Sequence, residues 1–214
     1  ELKNSINGKE ISLKLFDTKL DLNKLGVYTN DKLVIKNFIS TGEFNLVFEL
    51  ESSNNEQSHV IKILKKSKQD NKNIELENIK YKINVYLQLD TEYCNKYLPP
   101  LVVSFGEAPL HGEAMTVFSI EELKGKGLDK HLDSITPTQR YKIFMSLVNN
   151  LVCLQNSNLY HNDIRLSNVL VESEGGELTA VFNDYEYDPS INGNRNISPL
   201  IGRAPSTERD IYAL

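Results

Sequence analysis

Cysteine is scarce in this chain, long apolar runs are missing, and neither sign of charge dominates. The two cysteines, Cys94 and Cys153, lie far apart and in no metal-ligand spacing, so neither a zinc-type site nor a disulfide framework is expected. Cys153 falls inside an apolar helical pattern and is expected to be a small core residue. With no disulfide called for, the default compartment is a reducing, intracellular one, most simply the cytoplasm. No apolar stretch approaches the roughly 20 residues that span a bilayer, no signal-peptide pattern opens the chain, and no internal repeat recurs. A net charge of −5, from 24 basic and 29 acidic side chains, gives no drive toward nucleic acid. The basic run Lys62–Lys68 is expected to be a solvated strand end and loop. The first residue is Glu1 rather than Met, from which an excised domain is expected, with any targeting segment removed.

What is present suffices for a sizeable core: 214 residues, 40% of them hydrophobic, fit one globular unit or two small lobes. Leu33–Phe38, Leu46–Leu50 and Val60–Leu64 have strand length and composition. Ile11–Phe16 alternates and is expected to add an early strand. Polar stretches at Ser52–Ser58 and Lys66–Asn73 read as loops. A helix is expected over Asn73–Leu89, with Leu76, Ile79, Ile83 and Leu87 as its apolar stripe. After Pro99 and Pro100 come strand candidates Leu101–Phe105 and Ala114–Ile120, then a glycine-bearing connector at Glu121–Gly127. A second helix starts at Thr136, where Pro137 occupies the first helical position and Gln139 completes a capping box. Phe144, Leu147, Val148, Leu151 and Leu154 are expected to line its buried face. The strand Val169–Val171, a turn at Gly175 and Gly176, and the strand Leu178–Phe182 follow, and Ser206 or Thr207 can cap a last helix. This order predicts an α+β protein, β-rich first and mainly helical afterwards.

The segment His161-Asn162-Asp163-Ile164-Arg165-Leu166-Ser167-Asn168 sits between a helix and a strand, and Asn183-Asp184 follows the next strand. Phosphoryl transfer requires acidic and amide oxygens gathered near phosphates: one carboxylate to orient or deprotonate the attacking hydroxyl, others to hold Mg²⁺. A hairpin between Asn168 and Asp184 brings both metal-ligand candidates to one end of adjacent strands, with Asp163 facing the acceptor hydroxyl.

The loop resembles the protein kinase catalytic loop H-R-D-L-x-x-x-N, with His161, Asp163 and Asn168 in register. The resemblance implies a two-lobed kinase-like fold: a leader at 1–31, a β-rich N-lobe at 32–121, and a truncated or minimal C-lobe at 122–214. It implies ATP and Mg²⁺ as cofactors, Asp163 as catalytic base, Asn168 and Asp184 as metal ligands, and Arg165 in the place of a lysine that neutralises the transferred phosphate. Val60-Ile61-Lys62-Ile63 resembles V-A-I-K, which makes Lys62 the phosphate-positioning lysine and Glu77 its helical partner, with Glu75 second. Ser40–Val47 is similar to the glycine-rich loop but keeps only Gly42, followed by Val47. Glu121–Leu123 resembles the hinge that bonds adenine through backbone groups. Arg203–Ser206 resembles A-P-E, and Asp210–Leu214 the start of a buried helix.

Two departures matter. Asn162 replaces the loop arginine, so activation through an activation-loop phosphate is not expected. Tyr185-Glu186 replaces Phe-Gly after Asp184, so a fixed metal-site conformation is expected. The function implied is a divergent serine/threonine protein kinase with a protein substrate. Two alternatives stand beside it: a pseudokinase serving as a binding module, and a small-molecule kinase similar to choline or aminoglycoside kinases.

Overall fold

A computed structural model describes residues 10–11, 33–52, 58–89, 91–109, 115–175 and 177–188. The leader strand beyond Ile11, the polar loop at 53–57, the A-P-E-like segment and the last helix therefore lie outside the described residues. The chain divides into two compact units, 1–79 with 100–123, and 80–99 with 124–214. Residues 80–99 thus group with the second unit, although they precede the connector in sequence.

The first unit is built on a six-stranded antiparallel sheet. Its strands are β1 (Glu10–Ile11), β2 (Leu33–Thr41), β3 (Asn45–Ser52), β4 (His59–Leu64), β5 (Val102–Pro109) and β6 (Met115–Glu122), in the order β1-β2-β3-β4-β6-β5. Alternation decides which face each residue takes. Ile61 and Ile63 on β4, Phe48 and Leu50 on β3, and Phe118 and Ile120 on β6 turn inward and join Ile35 and Val103 in one core. Lys62 has the opposite orientation, and β4 is a central strand, paired with β3 through Val47↔Lys62 and with β6 through Lys62↔Ser119. Lys62 is therefore an interior position of the sheet rather than a solvated strand end. The stretch after β4 is no loop either: Lys66–Asn71 forms a 3₁₀ helix that runs into α1 (Lys72–Leu89).

The buried line of α1 is Ile79, Lys82, Val85 and Leu89, while Leu87, expected to be buried, is 52% exposed. The helix is rotated from the expected stripe, and a lysine falls in the middle of its covered face. Its second half belongs to the second unit, whose core unites Val85 and Leu89 with Leu147 and Leu154 of α2 (Pro137–Asn156). That core also holds Val169 of β8 (Val169–Glu174) and Phe182 of β9 (Glu177–Phe182). A short strand β7 (Lys126–Gly127) completes a three-stranded sheet in the order β7-β8-β9. Gly125 beside it has φ +54°, and a Cβ there would stand 2.6 Å from the Val171 carbonyl oxygen, so only glycine fits.

The entry to α2 follows the sequence closely. Gln139 N–H donates to Thr136 Oγ1 at 3.3 Å, Thr136 N–H donates to Gln139 Oε1 at 2.9 Å, and Pro137 opens the helix. Its buried face is again turned: Ile143, Leu147, Asn150, Cys153 and Leu154 are covered, whereas Phe144 is 49% exposed.

Cys94 and Cys153 overturn a sequence expectation. They form a disulfide with a Cα–Cα distance of 5.9 Å, buried in the second core. The compartment argument from unpaired thiols falls with it, because structural disulfides persist in oxidising surroundings. Among the described residues no helix is long and apolar enough to cross a membrane.

Candidate functional site

The catalytic-loop motif and the Asp184 segment belong to the second unit, and the structure joins them through backbone and side-chain hydrogen bonds. Val169 pairs with Phe182 at the open end of the β8-β9 hairpin. Register then continues one step further, with Asn183 N–H donating to the Asn168 carbonyl at 2.8 Å. Asn168 and Asp184 are brought to one end of the hairpin by this pairing. Glu186 N–H donates to the His161 carbonyl at 3.0 Å, and the buried Asn162 returns a bond from Nδ2 to the Glu186 carbonyl at 2.9 Å. Asn162, where kinases have arginine, is a clamp between the two segments.

Asp163 is held from two sides. Its Oδ2 accepts from Asn168 Nδ2 at 2.7 Å, and Arg165 Nε stands 3.0 Å from the same oxygen. Asn168 Nδ2 also donates to the Asp163 carbonyl at 2.9 Å. These bonds orient the Asn168 amide, and its Oδ1 accepts a 3.3 Å bond from Ser167 Oγ. Asp184 is exposed and adopts φ +56°, a left-handed conformation that Asp and Asn tolerate better than other side chains. Tyr185 after it is buried against His161, with ring centroids 4.5 Å apart. A buried aromatic there anchors the turn where kinases have Phe-Gly.

His161 is fully buried, and its environment dictates its tautomer. Asp163 N–H donates to Nδ1 at 3.2 Å, and a carbonyl can only accept, so Nε2–H donates to the Asn183 oxygen at 2.8 Å. Burial pushes its pKa down to about 4, against the opposing pull of the Asn183 bond and the Asp184 charge, with Lys82 and Arg165 reinforcing the fall. In the unfolded chain the same ring titrates near 6.5. Between those values only the unfolded chain takes up the proton, so this contribution is fully present above about 6.5 and is lost as pH falls toward 4. We expect about 3 kcal/mol to disappear across that window. Urea unfolding at a series of pH values measures it, and His161→Gln should flatten the slope there.

Arg165 is half exposed beside Asp163. One buried cation of this unit escaped the sequence reading altogether. Lys82 of α1 is 4% exposed, and its Nζ donates to Asn183 Oδ1 at 2.6 Å. The available signal was the spacing Ile79, Lys82, Val85, Leu89, which makes a helical stripe only if a lysine is admitted to it.

The remaining candidates lie in the first unit. Lys62 Nζ is 3.0 Å from Glu121 Oε2, both nearly buried, and Ser119 Oγ donates to Glu121 Oε1 at 2.9 Å. Glu121 therefore acts through its side chain, a role the hinge resemblance did not imply. Glu75 accepts from Asn45 Nδ2 at 2.7 Å, and Glu77 is partly buried on α1. The Gly42 turn is secured at several points. Gly42 N–H donates to the Asn45 carbonyl at 2.9 Å, Lys65 Nζ donates to the carbonyls of Gly42 and Glu43, and Lys68 lies 4.5 Å from the Phe44 ring centroid. Leu123 N–H, at the hinge-like segment, donates to the Ser58 carbonyl at 2.9 Å.

The donors that resemblance assigns to a metal, one carboxylate and one amide oxygen, fit Mg²⁺. This ion prefers hard oxygen ligands and keeps waters and substrate phosphates for its other positions. It does not require a cage of protein ligands, and no cluster of three or more His, Cys, Asp or Glu suited to a metal occurs among the described residues.

No family model and no curated sequence matches the chain. Among solved structures it is similar to the BubR1 kinase domain, at 13% identity and a TM-score of 0.64, covering 97% of this chain and 62% of that one. It is also similar to a mutant kinase domain of PknI from Mycobacterium tuberculosis, at 13% identity and a TM-score of 0.54, covering 85% and 70%. The fold is therefore protein kinase-like: α+β, with a sheet-built first unit and a second unit containing α2 and the β8-β9 hairpin.

Proposed function

We infer that the chain is a kinase-like phosphotransferase, transferring the γ-phosphoryl group of ATP to a serine or threonine hydroxyl of a protein. The observation that carries this reading is the linkage of Asp163, Asn168 and the Asp184 turn, in which Asp163 Oδ2 is held at 2.7 Å by Asn168 and Asn183 N–H bonds the Asn168 carbonyl at 2.8 Å. A held carboxylate is what a base or orienting group for a hydroxyl requires. Asn168 and Asp184 would hold Mg²⁺, which when bound neutralises charge on the phosphate oxygens. Arg165, beside Asp163, offers a guanidinium to the transferred group, a fixed charge with forked geometry. Lys62, oriented by Glu121, is assigned to positioning the phosphates.

Radiolabelled ATP with Mg²⁺, offered separately to generic protein substrates and to small alcohols such as choline, tests the reading. Label on serine or threonine supports it, label on the alcohol replaces it with a small-molecule kinase, and no label on either replaces it with a pseudokinase. Lys62→Met should weaken nucleotide affinity and transfer together, each by roughly tenfold or more, as expected for loss of a charge-assisted hydrogen bond. An unchanged titration of nucleotide removes Lys62 from the site.

The pseudokinase alternative has its own support. Backbone donors that a nucleotide would call upon are engaged within the first unit, Gly42 N–H with Asn45 and Leu123 N–H with Ser58. A module with those donors occupied would act through binding rather than turnover.

A further inference from the structure

We propose that Lys82 is a positioning residue, which holds Asn183 and through it sets the conformation of the Asp184 turn. The metal-binding part of this proposal rests on the phosphotransferase reading; the conformational part does not.

Placing an ammonium in the covered face of a helix carries a desolvation cost of several kcal/mol. An apolar side chain beside Ile79, Val85 and Leu89 would serve packing better. Lys82 is 4% exposed at that position, so its value to the fold lies in what its charge meets. It meets Asn183 Oδ1 at 2.6 Å, a short charge-assisted bond to a residue that is itself only 8% exposed.

Asn183 ties the entry to the turn, whose far side is held by Glu186 and Tyr185. Its N–H bonds the Asn168 carbonyl at 2.8 Å, and its carbonyl receives His161 Nε2–H at 2.8 Å. With the side chain taken by Lys82, three directions are specified at the residue immediately before Asp184. Asp184 then leaves with φ +56°, a left-handed conformation that even aspartate adopts less readily than the ordinary regions and that fixed neighbours help to hold. Asn168 and Asp184 are the two metal-ligand candidates, so a group that holds Asn183 also holds their relative placement.

The test uses Lys82→Met and Asn183→Ala in the full chain, with amide hydrogen exchange as the first readout. Both variants should accelerate exchange at Asn183 and Glu186 by tenfold or more while Val181 and the interior of α2 keep their protection. Unchanged exchange at those two amides overturns the proposal, whatever the protein does with metal. Should Lys82→Met fail to fold, Asn183→Ala, which keeps the lysine, decides the same point.

Mn²⁺ titration by electron paramagnetic resonance, with a non-hydrolysable ATP analogue present, is the second readout. Each variant should lose about tenfold in Mn²⁺ affinity, and the double variant no more than either alone, since both break one linkage. Removing a neighbouring positive charge without disturbing the turn would instead tighten Mn²⁺, and that result overturns the positioning role. A wild-type chain that takes up no Mn²⁺ with the analogue defeats the phosphotransferase reading, while the exchange data still decide the role of Lys82.

Discussion

Asp163→Asn should lower phosphoryl transfer by roughly a thousandfold, within the range typical of a positioned acid or base, while leaving nucleotide affinity within about threefold. Asparagine keeps an oxygen that can accept from Asn168 Nδ2 and Arg165 Nε, which now converge on Asp163 Oδ2 at 2.7 and 3.0 Å. The loop should therefore retain its shape, and what is lost is the negative charge. Without it the acceptor hydroxyl has no group to take its proton, and Arg165 has no carboxylate to balance its guanidinium. Single-turnover transfer from radiolabelled ATP, with a parallel nucleotide titration, separates the two quantities. A variant that transfers at the wild-type rate would exclude Asp163 as the base.

The second large effect concerns stability. Replacing Cys94 and Cys153 together by alanine should cost about 4 kcal/mol, from the chain entropy released when a loop of this length is opened in the unfolded state. The cross-link spans 59 residues and joins the segment after α1 to α2 inside the second core. Domains commonly have only about 5–15 kcal/mol of stability in total, so the variant should unfold at a markedly lower urea concentration. Comparison of oxidised wild type, reduced wild type and the double variant isolates the contribution. If oxidised and reduced wild type unfold at the same urea concentration, the bond plays no part in holding this unit together.

The elements were legible in the sequence where local chemistry decides them. The Thr136–Gln139 capping box is set by four consecutive residues, and it forms as written. Strands of the first unit were recognisable by length and composition, whereas which of their residues face the core was set once the strands paired into a sheet. Helix faces were less secure. A helix with apolar residues on more than one side has several defensible stripes, and only the packed neighbours choose. That is why Leu87 and Phe144 proved exposed and Lys82 buried.

Motif residues behaved differently again. His161, Asp163, Asn168 and Asp184 were readable from spacing, but their partners were not. Asn162 looked like a loss, an arginine gone, and in the structure it bonds the Glu186 carbonyl. Glu121 resembled a hinge position, and its carboxylate meets Lys62. Hydrogen bonds of this kind join residues 24 and 59 positions apart in the chain, and no local pattern encodes them.

By itself, then, the amino-acid order determined the principal strands and the two long helices, the capped start of α2, and the spacing of His161, Asp163, Asn168 and Asp184. Tertiary structure alone decided that two distant cysteines meet, that a lysine turns into the protein to hold Asn183, and that Asp184 takes a left-handed backbone. The division has a physical origin. Local preferences act over a few residues and leave their mark in spacing, whereas charge burial and cross-linking depend on which surfaces the collapsed chain brings together.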